Sequence, residues 1–85
     1  MKIQSLLIIY HINKEDDKMI TEEFIKKDIE ICGLSQFYTK EGLWSVTDRP
    51  YENLYDLSLV DNNRTEIYSK LTMEKVLERV NAGIN

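Results

Sequence analysis

Disulfide frameworks need cysteine pairs, and this chain of 85 residues has one cysteine, Cys32. That rules out a stapled scaffold and a thiolate zinc site. Histidine is equally scarce, and His11 with Cys32 does not read as a nucleophile and its base. The three glycines stand at 33, 42 and 83, too far apart for a P-loop or a dinucleotide fingerprint, and no H-E-x-x-H motif occurs. A single proline, Pro50, leaves "DRPYEN" at 48–53 as the one linker candidate, so the length implies one domain over residues 1–85.

Long apolar runs are missing too. "MKIQSLLIIYHINKEDD" opens with a basic residue and an apolar stretch, as a secretory signal does. However, Gln4 and Ser5 interrupt it, no small-residue cleavage site follows, and it meets acid at Glu15. It is also too short to span a bilayer. The expected setting is reducing and cytoplasmic, without membrane, and there the "NRT" sequon at 63–65 would go unused.

Positive charge is the other deficit: 11 Lys and Arg stand against 15 Asp and Glu, for a net charge of −4. Residues 15–30 hold seven acids against three lysines, which accounts for the whole imbalance. Nucleic-acid binding by bulk electrostatics is therefore unexpected, since it needs cations to displace phosphate counterions. An acidic helix here, with Glu22 and Glu23 in its first turns, is either a solvated face or a surface for a basic protein.

What remains is the composition of an ordinary globule, 42% hydrophobic and 31% charged. Residues 3–12 read as a strand whose continuous apolarity implies cover on both faces. "NKEDDK" is then a polar turn. Residues 18–32 predict a helix capped by Asp17 or Thr21 and ended by Gly33, with Leu34 folding back on Ile29. Its apolar face gathers Ile20, Phe24, Ile25, Ile29, Ile31 and Cys32. Asp28 falls in the middle of that face, so it needs a partner, or else "DIEIC" begins a strand.

Residues 35–47 predict a hairpin with Glu41-Gly42 as its loop, setting Thr39 opposite Trp44 and Phe37 opposite Val46. A second hairpin follows at 54–71. A two-residue loop, Asn62-Asn63, pairs Leu57 with Tyr68 and Leu59 with Glu66. A three-residue loop, Asn62 to Arg64, pairs Leu59 with Ile67 and Tyr55 with Leu71, which places apolar opposite apolar and is preferred. Residues 73–82 predict a helix capped by Thr72 and ended by Gly83, with Met73, Val76, Leu77 and Val80 on its buried stripe.

The order β-α-β-β-β-β-α implies an α+β two-layer sandwich, a largely antiparallel sheet with two helices on one face. The inward set is Phe37, Trp44, Val46, Tyr55, Leu57, Leu59, Ile67 and Leu71. No catalytic residue or cofactor is expected. Asp28 and His11 are more naturally one satisfied polar contact than an acid–base pair. "EDD" at 15–17 lacks the alternate ligand spacing and turn glycine of a calcium loop, and "DNNRTE" at 61–66 has Glu66 where that glycine belongs.

The outward sheet face is the surface to suspect. In the preferred register, Tyr38 and Tyr68 point away from the helices, with Lys40 and Lys70 one pleat further on and Tyr10 joining from the first strand. Three outcomes are open: burial against a second copy or another protein, base stacking on the tyrosines, or cover by a loop such as "DRPYEN" with Tyr51. The leading expectation is a small acidic protein that acts by protein–protein binding, with an inhibitor presenting its acidic helix as a sharper form. The alternative is a nucleic-acid module using Tyr38, Tyr68, Lys40 and Lys70.

Overall fold

The computed structural model describes residues 19–82. The expected strand at 3–12, the polar turn after it and the Gly83 helix end lie outside these residues. Within them the order is α1 (Glu22–Cys32), β1 (Ser35–Thr39), β2 (Gly42–Arg49), β3 (Leu54–Val60), β4 (Thr65–Leu71) and α2 (Met73–Asn81). The strands form one antiparallel meander, β1-β2-β3-β4. Helix α1 packs on β1 and β2 and α2 on β3 and β4, so both helices cover one face of an α+β fold.

Helix α1 starts where its cap dictates. Thr21 has extended backbone, and its Oγ1 accepts from Phe24 N at 3.2 Å. It ends at Gly33, whose φ of +87° suits glycine and whose N–H reaches Ile29 O at 2.8 Å. Asp28 accepts from the buried Ser35 hydroxyl at 2.8 Å, which meets its need for a partner and keeps 28–32 helical. Ile31 departs from the expected face and is exposed. In α2, Thr72 caps through Lys75 N, Val76 and Val80 are buried, and Met73 and Leu77 pack at the margin of the core.

The core joins Ile25 and the two valines of α2 to Phe37, Trp44, Val46, Tyr55, Leu57 and Leu59. Phe24 meets Phe37 edge-to-face, with centroids 5.9 Å apart.

Two registers differ from expectation. In the first hairpin the loop is Lys40-Glu41, so Thr39 faces Gly42, Phe37 faces Trp44 and Ser35 faces Val46. Gly42 lies in the strand because it must: its φ is +142°, and a Cβ there would come within 2.5 Å of Val60 O. Thr39 Oγ1 locks the register by accepting from Trp44 Nε1 at 2.8 Å and Glu41 N at 3.2 Å. The slide is two residues, so every side chain keeps its predicted face.

The second hairpin changes faces. Leu57 pairs with Tyr68 and Leu59 with Glu66, yet Tyr55 pairs with Leu71, and the mismatch is absorbed by a bulge. Lys70 takes the left-handed conformation, φ +60°, and its N–H donates to Asp56 Oδ1 at 3.1 Å. Ile67 is consequently outside, 74% exposed, and Tyr68 is half-buried on the helix side, contrary to both expectations.

Candidate functional site

The helix-free face is a set of cross-strand rows. Tyr38, Leu43, Val60 and Thr65 form one row, and Gln36, Ser45, Ser58 and Ile67 form the next. Tyr38 is 51% exposed and Val60 47%, with Leu43 half-buried between them and Ile67 standing above. Gln36 Nε2 donates to Ser45 Oγ at 3.0 Å, tying the neutral row together. No charged residue occurs in either row. Charge enters further along, where Arg49 Nε meets Asp56 Oδ1 at 2.9 Å. That guanidinium, more than any other group, holds the Asp56 carboxyl below its ordinary range, and the Lys70 amide adds to the effect.

The other face carries a closed ion network. Arg79 from α2 lies over Trp44, its Cζ 5.0 Å from the ring centroid. Its two terminal nitrogens reach Glu41 Oε2 and Oε1, each at 3.0 Å, and Nη2 also reaches Glu66 Oε1 at 2.9 Å. Its Nε donates to Tyr68 Oη at 3.2 Å, and that hydroxyl donates to Glu66 at 2.7 Å. Arg64 completes the cluster by contacting Glu41 and Glu66. The Glu41 contacts first, then Tyr68, raise Arg79 above the usual guanidinium range. Tyr68, then Arg79, hold the Glu66 carboxyl low. Every donor atom of Arg79 is engaged within the chain, so the network pins β4 and the β1–β2 turn to α2 and holds fixed charge.

The residues suspected from sequence are thus dispersed. Tyr38 alone stays on the bare face as expected. Tyr68 belongs to the ion network, Lys40 to the first turn, and Lys70 to the bulge. Tyr51 is fully exposed at 102% in the turn after β2 and covers neither face, so "DRPYEN" is not a lid. Glu22 and Glu23 occupy the first turn of α1, with Glu22 ion-paired to Lys26 at 2.8 Å. Tyr10, His11 and "EDD" lie outside the described residues.

Sequence reasoning did not find Leu43, Val60 and Ile67 on this face. The signal for Leu43 and Val60 was available, because they fall on the outward parity of β2 and β3. For Ile67 the parity is reset by the bulge. Among the described residues, no group of three or more His, Cys, Asp or Glu is placed to hold a metal, and no helix is long and apolar enough to cross a membrane. No protein-family model matches the chain, and no curated protein or solved structure is significantly similar to it.

Proposed function

We propose that this protein acts by binding protein, and that the helix-free sheet face is the contact surface, with a second copy of the chain as its occupant. The observation that carries the reading is the uncharged apolar row Tyr38–Leu43–Val60 with Ile67 beside it, exposed on a face that no helix covers among the described residues. Contiguous exposed apolar surface rimmed by polar side chains is characteristic of interfaces, whose centres are poor in charge and rich in tyrosine. The charge pattern suits a second copy here. The imbalance of −4 lies in residues 15–30, whereas the two rows carry no charge and the adjoining Arg49–Asp56 pair is neutral, so two copies can meet on this face without bringing like charges together.

Base stacking is not favoured. Tyr68 is engaged on the opposite face, and neither row of the bare face offers a cation for phosphate.

Sedimentation equilibrium from low to high micromolar concentration tests the reading. The wild type should shift toward twice the monomer mass, and Ile67→Asp or Tyr38→Asp should remain monomeric with unchanged far-UV circular dichroism. A wild type that is monomeric throughout contradicts the reading. So does a monomer whose thermal stability falls sharply on Ile67→Asp, which would mean the face is covered within one chain.

A further inference from the structure

The start of α1 and the end of α2 are pinned side by side by one side chain. The Asn81 amide accepts from Ile20 N at 2.8 Å and donates to Ile20 O at 2.9 Å, so it occupies both backbone groups of a residue 61 positions away. This contact imitates a rung of sheet and holds the helix ends at a fixed spacing. Between them lies an open trough of about 670 Å³. Its floor is apolar: Met19, Ile20, Leu77 and Ala82, with Met19 63% exposed. Its rim is acidic, with Glu22 on one side and Glu74 and Glu78 on the other, and among the described residues no Lys or Arg lines it.

From this arrangement we infer a second binding surface, independent of the sheet face, that takes a cationic amphipathic segment of another protein. An apolar floor accommodates the hydrophobic face of a short helix or extended segment, and the flanking carboxylates select Lys or Arg on either side. Two rim carboxylates have cations beside them, Lys26 at 2.8 Å from Glu22 and Lys75 at 3.6 Å from Glu78, but all four side chains are more than half exposed, where such pairs are weak and an incoming Lys or Arg can replace the cation. The helix ends that meet at the trough, the N-terminus of α1 and the C-terminus of α2, carry opposite partial charges, so the rim carboxylates set its sign. An anionic partner, nucleic acid included, meets repulsion here.

The probe is a synthetic 14-residue amphipathic peptide with leucine on one face and lysine on the other, fluorescently labelled and titrated with the full chain at low and physiological salt. A matched peptide with glutamate in place of lysine serves as the charge control. Saturable binding of the lysine peptide alone is expected, weakened about tenfold or more by the double change Glu74→Lys and Glu78→Lys. Met19→Asp, which spoils the floor without touching the rim, should weaken it comparably. Glu30→Lys with Asp48→Lys, at the far end of α1 and on β2, changes net charge by the same amount away from the trough and should matter less than about threefold. Absence of saturable binding overturns the inference. Equal losses from the two double variants also overturn it, since they would show attraction to bulk charge. Thermal midpoints confirm that each variant is folded. The result does not depend on self-association through the sheet, because Ile67→Asp should bind the peptide as the wild type does.

Discussion

On the helix-covered face of the sheet, Trp44 is fully buried beneath Arg79, and each polar group near it has a partner within the chain. On the opposite face, Val60 and Ile67 are as apolar as anything in the core and stand in the open, among serines and a glutamine. The same four strands make both faces. The first is complete in one chain: its apolar side chains have lost their water, and its charges are locked in a network. The second has the hydrophobic content of an interface without cover among the described residues. Exposed apolar area gains nothing from folding, so the two faces should answer mutation in opposite ways.

The largest effect should come from Trp44→Ala. It removes the biggest buried side chain, the platform under Arg79 and the bond to Thr39, and should cost about 3–5 kcal/mol in urea unfolding. A cost below about 1 kcal/mol would break the account of the covered face. Gly42→Ala comes next. Its φ of +142° and the nearness of Val60 O leave no room for a Cβ, and about 1–3 kcal/mol should be lost unless the hairpin slides back to the register with Gly42 in its loop. Cross-strand NOEs between Phe37 and Trp44 would show whether it does.

Acid should loosen the sheet next. Glu66 is held low by Tyr68 and Arg79, and in the folded chain it gives up its proton more readily than when unfolded. Asp56 and Asp61 behave likewise, the first through Arg49 and the second through the backbone N–H of Asn63. Their contribution is therefore present above the ordinary carboxylate range and is lost as pH falls through the folded values. The urea midpoint should hold from pH 7 to about 5 and decline below about 4. A midpoint that rises on acidification would contradict this assignment. The smallest effect belongs to the bare face: Ile67→Ser in dilute monomer should stay within about 0.5 kcal/mol of the wild type.

Much of the fold was legible because it is local. Thr21 and Thr72 announce their helices by cap chemistry, Gly33 supplies a left-handed stop, and the stripe Met73–Val76–Leu77–Val80 needs only a period. The parity of β1 to β3 survived even a wrong register, since a slide of two leaves faces unchanged. Strand β4 was different. Two pairings competed in the sequence, and the strand uses both, one on each side of a bulge stabilised by Asp56 on the neighbouring strand. No local pattern announces that contact, and it moved Tyr68 inward and Ile67 outward. The candidate site changed with it, from a pair of tyrosines flanked by lysines to one tyrosine among aliphatic side chains. The Arg79 network was hidden for the same reason: its partners lie 11 to 38 residues away, and only the assembled layers bring them together.

The central claim is that the bare face closes on a second copy. The most direct test is an isotope-filtered NOE experiment on a mixture of labelled and unlabelled chain at a concentration where mass indicates association. Intermolecular contacts should link the methyls of Leu43, Val60 and Ile67 with the ring of Tyr38 and fade together on dilution. Intermolecular contacts that map to the helices and leave these four residues silent would contradict it.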